Sequence, residues 1–235
     1  MASLIFMGIG VYDEKGAAYA EHSARNPWND LYDRPTILAL AGDVAGKRVL
    51  DVGCAAGHLT GALTQRGASV VGVDSSSVLL SIARSKWPAE FVWADLAEPL
   101  DFPDGSFDVV TASLVLHYLP DWSTPLASLH RVLRPGGVLV MSVHHPCEDW
   151  RWFDLPNYFS TELVTDEWVV AGERMVVQYY HRPLSSVFAS LREAGFVVHD
   201  MVEPMPLPEC EQVDPRTYES LTTKPRFLYF KAVAG

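Results

Sequence analysis

The chain has few cysteines, no basic cluster and no long apolar run, and each shortage removes a class of protein. Its three cysteines, Cys54, Cys147 and Cys210, are widely spaced and odd in number. That argues against a disulfide framework or a zinc site and reads as reduced thiols in a cytoplasmic protein. No stretch concentrates Lys or Arg, and the formal net charge is −11. A phosphate-backbone partner calls for a basic stripe, so no nucleic-acid partner is expected. The run Met1-Ala2-Ser3-Leu4-Ile5-Phe6-Met7-Gly8 has no basic flank and is too short for a signal peptide or a membrane span. No membrane partner is therefore expected. Internal repeats and low-complexity tracts are lacking too, and 235 residues suit one α/β domain with an elaboration.

What is present is a strand–turn–helix order. Arg48-Val49-Leu50-Asp51-Val52-Gly53-Cys54-Ala55-Ala56-Gly57 takes a short apolar run into a Gly-rich turn. About twenty residues later Val70-Val71-Gly72-Val73-Asp74 ends a second apolar run in a carboxylate. Small residues let backbone approach a ligand, and an acid at the end of the second strand can accept hydrogen bonds from a ribose. This is the order of the nucleotide half of a doubly wound α/β sheet.

The spacing predicts one or two helices over 11–45, interrupted near Asn26-Pro27, and strands at 48–52, 69–73 and 91–93. Helices follow at about 57–65 and from a Ser75 or Ser76 cap to about Lys86. The Pro103-Asp104-Gly105-Ser106 turn leads into a fourth strand, 107–112, then a helix over roughly 123–133. Arg134-Pro135-Gly136-Gly137 reads as the turn launching a buried fifth strand, Val138–Val143. The aromatic-rich stretch 147–182 carries a hairpin around Ala171-Gly172-Glu173. A helix closed by Gly195, a strand Phe196–Val202, a Pro-rich loop over 204–215 and a strand Phe227–Val233 complete the chain.

Asp51-x-Gly53-x-Ala55-x-Gly57 with Asp74 resembles the cofactor loop of class I, Rossmann-like S-adenosylmethionine-dependent methyltransferases, in their small-molecule branch. Ala94-Asp95-Leu96, Leu114-Val115-Leu116-His117-Tyr118 and Leu133-Arg134-Pro135-Gly136-Gly137 follow in the family's order. Ala55 stands where the family usually has glycine, and its methyl group fits if the residue keeps negative φ. The resemblance implies a doubly wound, mostly parallel seven-stranded sheet of order 3-2-1-4-5-7-6. It divides a single domain, 1–235, into an N-terminal helical lid (1–45), a cofactor core (46–146), an inserted aromatic cap (147–182) and a C-terminal helix and hairpin (183–235). It implies S-adenosyl-L-methionine as cofactor. Asp51 and Gly53 would line its methionine end with the Ser113 backbone and the Leu114 side chain, Gly57 would let the helix approach it, and Cys54 and Ala55 of the same loop would also contact the cofactor. Asp74 would take the ribose hydroxyls, Ser75 would lie beside the adenine, and Asp95 would reach its amino group with Leu96 under the ring. Tyr19 and Tyr32 would close over the cofactor from the N-terminal segment.

Methyl transfer from a sulfonium is an in-line displacement, so alignment and exclusion of water dominate, and a base is needed only for a protonated nucleophile. Candidate bases are His144 and His145 at the carboxyl end of strand five, and His181 before the late helix. If the strand continues through His144 and His145, only one of the two can face the acceptor. Trp28, His117, Tyr118, Trp152, Tyr158, Tyr180 and Arg182 are the candidate acceptor contacts. The ring-rich segment is read as a lid over a flat acceptor, since a two-stranded hairpin cannot bury so many rings alone. His22, His58, His130 and His199 are read as surface or capping residues. No metal-ligand spacing is evident, so no metal is expected. The expected activity is methylation of an O or N nucleophile on a small aromatic or heterocyclic molecule, of the secondary-metabolism kind, by a monomer or homodimer. The rivals are a cofactor-binding protein without catalysis and a nicotinamide-dependent oxidoreductase on a similar sheet.

Overall fold

The computed structural model describes residues 7–235, so the apolar stretch 1–6 lies outside the described residues. Helices α1 (Met7–Glu14) and α2 (Gly16–Arg25) lead to a π-helical turn, Asn29–Asp33, and to α3 (Arg34–Ala41). The interruption falls at Asn26, whose side chain accepts the Trp28 N–H at 3.0 Å across the proline that has no N–H to give. Then come β1 (Arg48–Val52), α4 (His58–Gln65), β2 (Ser69–Asp74), α5 (Ser77–Lys86), β3 (Glu90–Trp93) and β4 (Phe107–Ala112). Ser76 caps α5 by accepting the Leu79 N–H at 3.2 Å. A 3-10 turn, Leu116–Tyr118, precedes α6 (Ser123–Val132) and β5 (Leu133–His144). The inserted segment is α7 (Pro146–Trp152) and the hairpin β6 (Glu162–Val170) and β7 (Glu173–His181). Helix α8 (Leu184–Glu193), β8 (Phe196–Val202), α9 (Glu209–Val213), α10 (Pro215–Thr223) and β9 (Phe227–Ala234) end the chain.

The seven-stranded sheet has the order β3-β2-β1-β4-β5-β9-β8, and β6-β7 forms a separate pair. Counted without that pair, this is the expected 3-2-1-4-5-7-6. Strands β1 to β5 pair in parallel, while β9 runs antiparallel to both β5 and β8. Alternate residues of each strand supply the two faces. Leu50, Val110, Leu139 and Met141 pack with α6 and α8 through Leu126, Leu129 and Leu191. Val49, Val109, Val140 and Tyr229 pack with Ile37, Leu63 and Leu221 of α3, α4 and α10 on the other face. Strands buried on both faces read as continuous apolar runs, which is how β1 and β5 appear in the sequence.

Three local readings need correction. Arg134–Gly137 does not stop the chain before β5: the register against β4 jumps from Phe107↔Leu133 to Val109↔Val138, so these residues bulge within the strand. Arg134 ion-pairs with Asp108 across the bulge at 2.9 Å, and Gly136 supplies a φ of 72°. The start of the aromatic-rich insert is a helix, α7, with Pro146 in its first turn and His145 as its cap. The Pro-rich loop also gives way to helix: Asp214 caps α10 by accepting the Thr217 N–H at 3.0 Å, with Pro215 at its first position.

Candidate active site

The carboxyl ends of β1, β2, β4 and β5 open into one cavity of about 740 Å³, roofed by α2, the π turn and the β6–β7 hairpin. Parallel strands leave this end of the sheet unfilled wherever neighbouring crossovers diverge. The first turn sets its floor. Gly53 has φ 68°, and a Cβ there would lie 2.6 Å from Val115 Cβ, so only glycine fits between turn and neighbour. Ala55 does not keep negative φ: it stands at φ 48°, a left-handed conformation that a Cβ makes costly. Its N–H donates to Asp74 Oδ2 at 2.8 Å, and Ser76 N–H donates to Asp74 Oδ1 at 2.8 Å. The second-strand carboxylate thus fastens the first-strand turn. A carboxylate offers about four acceptor sites, so each Asp74 oxygen retains one for a ligand. Burial pushes the Asp74 pKa up, against those backbone bonds.

Beneath the turn, Asp51 accepts Thr60 Oγ1 at 2.6 Å and Thr111 Oγ1 at 2.8 Å, and burial raises its pKa to about 6. Asp95 and Leu96 line the β3 side of the cavity, and Cys54, Ser75, Ser113, Leu114 and Tyr19 line it too. Gly57 and Tyr32 do not. A Cβ on Gly57 would lie 2.7 Å from Trp87 Cδ1, so this glycine admits a tryptophan, not a ligand. Tyr32 is buried and stacks on Phe227 with ring centroids 5.5 Å apart.

Only His144 of the three candidate bases lines the cavity. Its Nδ1 lies 3.6 Å from Asp149 Oδ1, and that oxygen accepts Tyr179 Oη–H at 3.3 Å. His145 turns away: its Nδ1 accepts the Cys147 N–H at 3.2 Å, and its Nε2 meets Glu203 Oε1 at 2.9 Å. His181 is fully buried, with Nε2 2.9 Å from the Tyr158 carbonyl oxygen. Of the candidate acceptor contacts, Trp28, His117, Tyr118 and Trp152 line the cavity. Tyr158, Tyr180 and Arg182 do not. Tyr158 Oη accepts the Leu184 N–H at 3.1 Å, and Tyr180 sits on the far face of β7 by strand alternation. Arg182 lies over the Trp122 ring at 4.4 Å and donates to the Pro120 carbonyl at 2.7 Å.

Several lining residues carry no sequence signal of their own. Asp33, buried, accepts Ser142 Oγ at 2.7 Å and Ser113 Oγ at 2.5 Å, tying the π turn to β5 and to the end of β4. Burial raises its pKa against both bonds. Asp149, Trp168 and Tyr179 come from the insert, and Tyr12 from α1 bonds Tyr118 Oη at 2.5 Å. His22 and His58, read as surface or capping residues, also face the cavity; His58 Nε2 lies 2.9 Å from the Ala20 carbonyl and joins α4 to α2. Of the insert's rings, Trp152, Trp168 and Tyr179 reach the cavity, while Trp150 and Phe159 are exposed elsewhere.

Residues 50–141 match the family model described as a methyltransferase domain. An uncharacterized methyltransferase from Synechocystis is 37% identical over 156 residues, which span 65% of this chain and 68% of that protein. The chain belongs to the methyltransferase family. A crystal structure of an S-adenosylmethionine-dependent methyltransferase from Mesorhizobium loti aligns with a TM-score of 0.70 at 26% identity, covering 90% of this chain and 99% of that one. A ubiquinone biosynthesis O-methyltransferase from Pseudomonas aeruginosa is 40% identical over 105 residues, 42% of this chain and 45% of that protein. The methyltransferase is of class I, an enzyme whose cofactor is S-adenosylmethionine. Its cavity suits that molecule: carboxylates for a cation and a diol, and an apolar Leu96 beside Asp95 for a ring bearing an amine. No helix among the described residues is long and apolar enough to cross a membrane.

Proposed function

We propose that this methyltransferase acts on an O or N nucleophile of a small, flat molecule, with His144 as the base and Asp149 orienting it. The observation that carries the reading is the His144–Asp149–Tyr179 chain in the same cavity as the Gly53–Ala55 turn. When bound, S-adenosylmethionine supplies a methyl group on a sulfonium that departs as a neutral thioether. The protein's part is to place acceptor and cofactor in line, exclude water and accept a proton where the nucleophile carries one. Asp74 takes the ribose hydroxyls in this reading, Asp95 and Leu96 take the adenine beside Ser75, and the backbone of Gly53, Cys54 and Ala55 borders the methionine end with Ser113 and Leu114.

With Nδ1 3.6 Å from Asp149 Oδ1, His144 in this reading keeps its proton on Nδ1, on the carboxylate side, and accepts one at Nε2. The chain 1–235 serves as one domain in which α1, α2 and the hairpin form a joint lid, since Val11, Tyr12 and Tyr19 pack on Val164, Val177 and Tyr179. The ubiquinone relative's acceptor is a quinone-pathway O-nucleophile by its name, and the match covers under half of either chain, so it supports the small-acceptor class and no particular substrate. The test is a mass-shift screen of small O and N acceptors, followed by His144→Ala on whichever turns over. A hydroxyl or ammonium acceptor should lose about 10²–10⁴-fold in kcat with cofactor binding intact. Full activity in His144→Ala would remove the base from the mechanism.

A further inference from the structure

Charge and aromatic surface on the acceptor side narrow the substrate class. Among the described residues, the only Lys or Arg side chains lining the cavity are Arg34 and Arg226. Both are already engaged. Arg34 donates to Asp30 Oδ1 at 2.5 Å and to the Ser23 carbonyl at 3.1 Å. Arg226 pairs with Glu148 and spends its other nitrogens on Ser220 Oγ. Among the described residues each of these guanidiniums is thus charge-paired with a carboxylate, whereas two carboxylates of the insert, Asp149 and Asp166, have no Lys or Arg partner. Asp149, 5% exposed, has only the Tyr179 hydroxyl at 3.3 Å and the His144 ring at 3.6 Å. Asp166 Oδ2 accepts Trp168 Nε1–H at 2.8 Å, and its other oxygen takes the Glu167 N–H at 2.8 Å.

Between these two acids runs a connected set of rings. His144 stacks parallel to Trp168 at 6.5 Å, meets Tyr179 at 4.2 Å and meets Phe227 at 5.5 Å; Phe227 in turn meets Trp28 at 5.8 Å. A second, separate sign of a missing partner is His117. It is 2% exposed, lies edge-on to His144 at 4.6 Å, and neither ring nitrogen has a hydrogen-bond partner among the described residues. Buried polar groups in native folds are almost always satisfied, so a ligand or an ordered water belongs there.

We infer that the acceptor is a basic amine, bound as its ammonium ion between Asp149 and Asp166 and against the rings of His144, Trp168 and Tyr179. The inference rests on the methyltransferase site described above and narrows its acceptor. Carboxylates and ring faces both attract ammonium, and a desolvated cavity strengthens each attraction. Carboxylates and phosphates would meet repulsion with no compensating cation. The reaction balances within the site. The ammonium proton passes to His144 Nε2, giving an imidazolium that Asp149 stabilises. The freed nitrogen lone pair then forms the N–CH₃ bond as the cofactor's C–S bond breaks and its electrons stay on sulfur. The product leaves as a methylammonium, and the imidazolium proton goes to solvent.

The test is calorimetric binding to the full chain with S-adenosylhomocysteine present, using tryptamine, tryptophol and indole-3-propionate, and phenethylamine with its alcohol and acid counterparts. Each set shares a ring and differs in charge. Each amine should bind ~10-fold tighter than its alcohol and ~100-fold tighter than its acid, the scale of one favourable or one repulsive charge pair. Asp166→Asn and Asp149→Asn should erase most of that preference and leave S-adenosylhomocysteine affinity unchanged. Asp166 is half-buried on a hairpin, so its variant reports even if Asp149→Asn fails to fold. Binding of an acid as tightly as its amine, no binding of either amine, or an unaltered preference in the Asp166→Asn protein would overturn the inference. Failure of S-adenosylhomocysteine itself to bind would instead strike the cofactor reading beneath it, and the two results are separate.

Discussion

Asp74 fastens the first turn and, in the proposed reading, also takes the ribose hydroxyls; replacing it with Ala separates the two duties. The carboxylate accepts the N–H groups of Ala55 and Ser76, each at 2.8 Å, so its removal orphans two donors in and beside the first turn. Hydrogen bonds to a charged group contribute about 1.5–3 kcal/mol each, which gives roughly 3–6 kcal/mol for the pair. Against this stands the burial that raises the Asp74 pKa, a desolvation penalty that Ala removes. Water reaching the opened cleft will also satisfy part of the exposed backbone. The net loss of fold stability should be about 1–3 kcal/mol, larger than for an acid that served only a ligand. Cofactor binding should weaken separately by about 2–4 kcal/mol, roughly 30- to 1000-fold, from the lost ribose bonds and the loosened turn. Asp74→Asn distinguishes the parts. Its single carbonyl oxygen can keep one backbone bond, so about half of the stability returns while affinity stays low. Urea unfolding and calorimetry with S-adenosylhomocysteine measure the two effects. A folded Asp74→Ala protein with wild-type affinity would displace the ribose from this acid, and unchanged stability would show that the turn does not depend on it.

Ala55→Gly should stabilise the protein by about 1 kcal/mol in urea unfolding, because glycine adopts the left-handed φ of 48° without the Cβ conflict; a loss of stability would mean that the methyl packing outweighs the strain. Asp51 has a folded pKa of about 6, above an unfolded carboxyl near 3.9, so protonation favours the native state. Its penalty is nearly complete above about pH 6 and fades as pH falls toward 4, so the stability difference between wild type and Asp51→Asn should change by about 2 kcal/mol between pH 7 and pH 4, the Asn variant gaining at the higher pH. A difference independent of pH would reassign the carboxylate as neutral or solvated. Hydrogen exchange over residues 12–40 should slow when S-adenosylhomocysteine binds, since α2 and the π turn roof the cavity; equal exchange in both states counts against a lid.

The doubly wound core was legible because its signals are local and agree with one another. Apolar runs at 49–52, 70–73 and 138–143 are strands buried on both faces, and Ser76 and Gly195 mark helix ends as their chemistry requires. The readings that failed did so where two local signals compete. Arg134-Pro135-Gly136-Gly137 has turn composition, yet the register jump against β4 absorbs it as a bulge inside β5. Asp214-Pro215 is a helix-start pair, but four prolines between 204 and 215 give the segment the composition of a loop. Ala55 shows the limit of residue type as evidence for backbone. A methyl group suggested negative φ, whereas the hydrogen bond from its own N–H to Asp74 holds it on the other side.

The side of the cavity proposed for the cofactor was readable for the same reason, since most of its lining comes from strand ends that the sequence already marked, Gly57, Tyr32 and the helical Tyr19 aside. The acceptor side was not, because it is assembled from α1, α2, the π turn, α7 and the hairpin, whose mutual placement no periodicity records. His144 and His145 make the point in two adjacent residues. Alternation along β5 allows only one of them to face the cavity, and that much follows from the sequence. Which one depends on which face of the sheet the π turn occupies. Val140 packs with α3 and Ser142 donates to Asp33, so the even-numbered face of β5 is the one that continues to His144. Val143, on the odd face, joins the cluster beneath α6 and α8. Both faces of β5 are buried, so hydrophobicity alone treats them as equivalent, and the distinction rests on long-range contacts such as the packing of Val140 on α3 and the hydrogen bond between residues 109 positions apart. The placement of Asp149 depends on the same parity. Once His145 turns away from the cavity to cap α7, the following helix brings Asp149 back under His144, and a carboxylate with no sequence signature becomes the partner of the histidine proposed as the base.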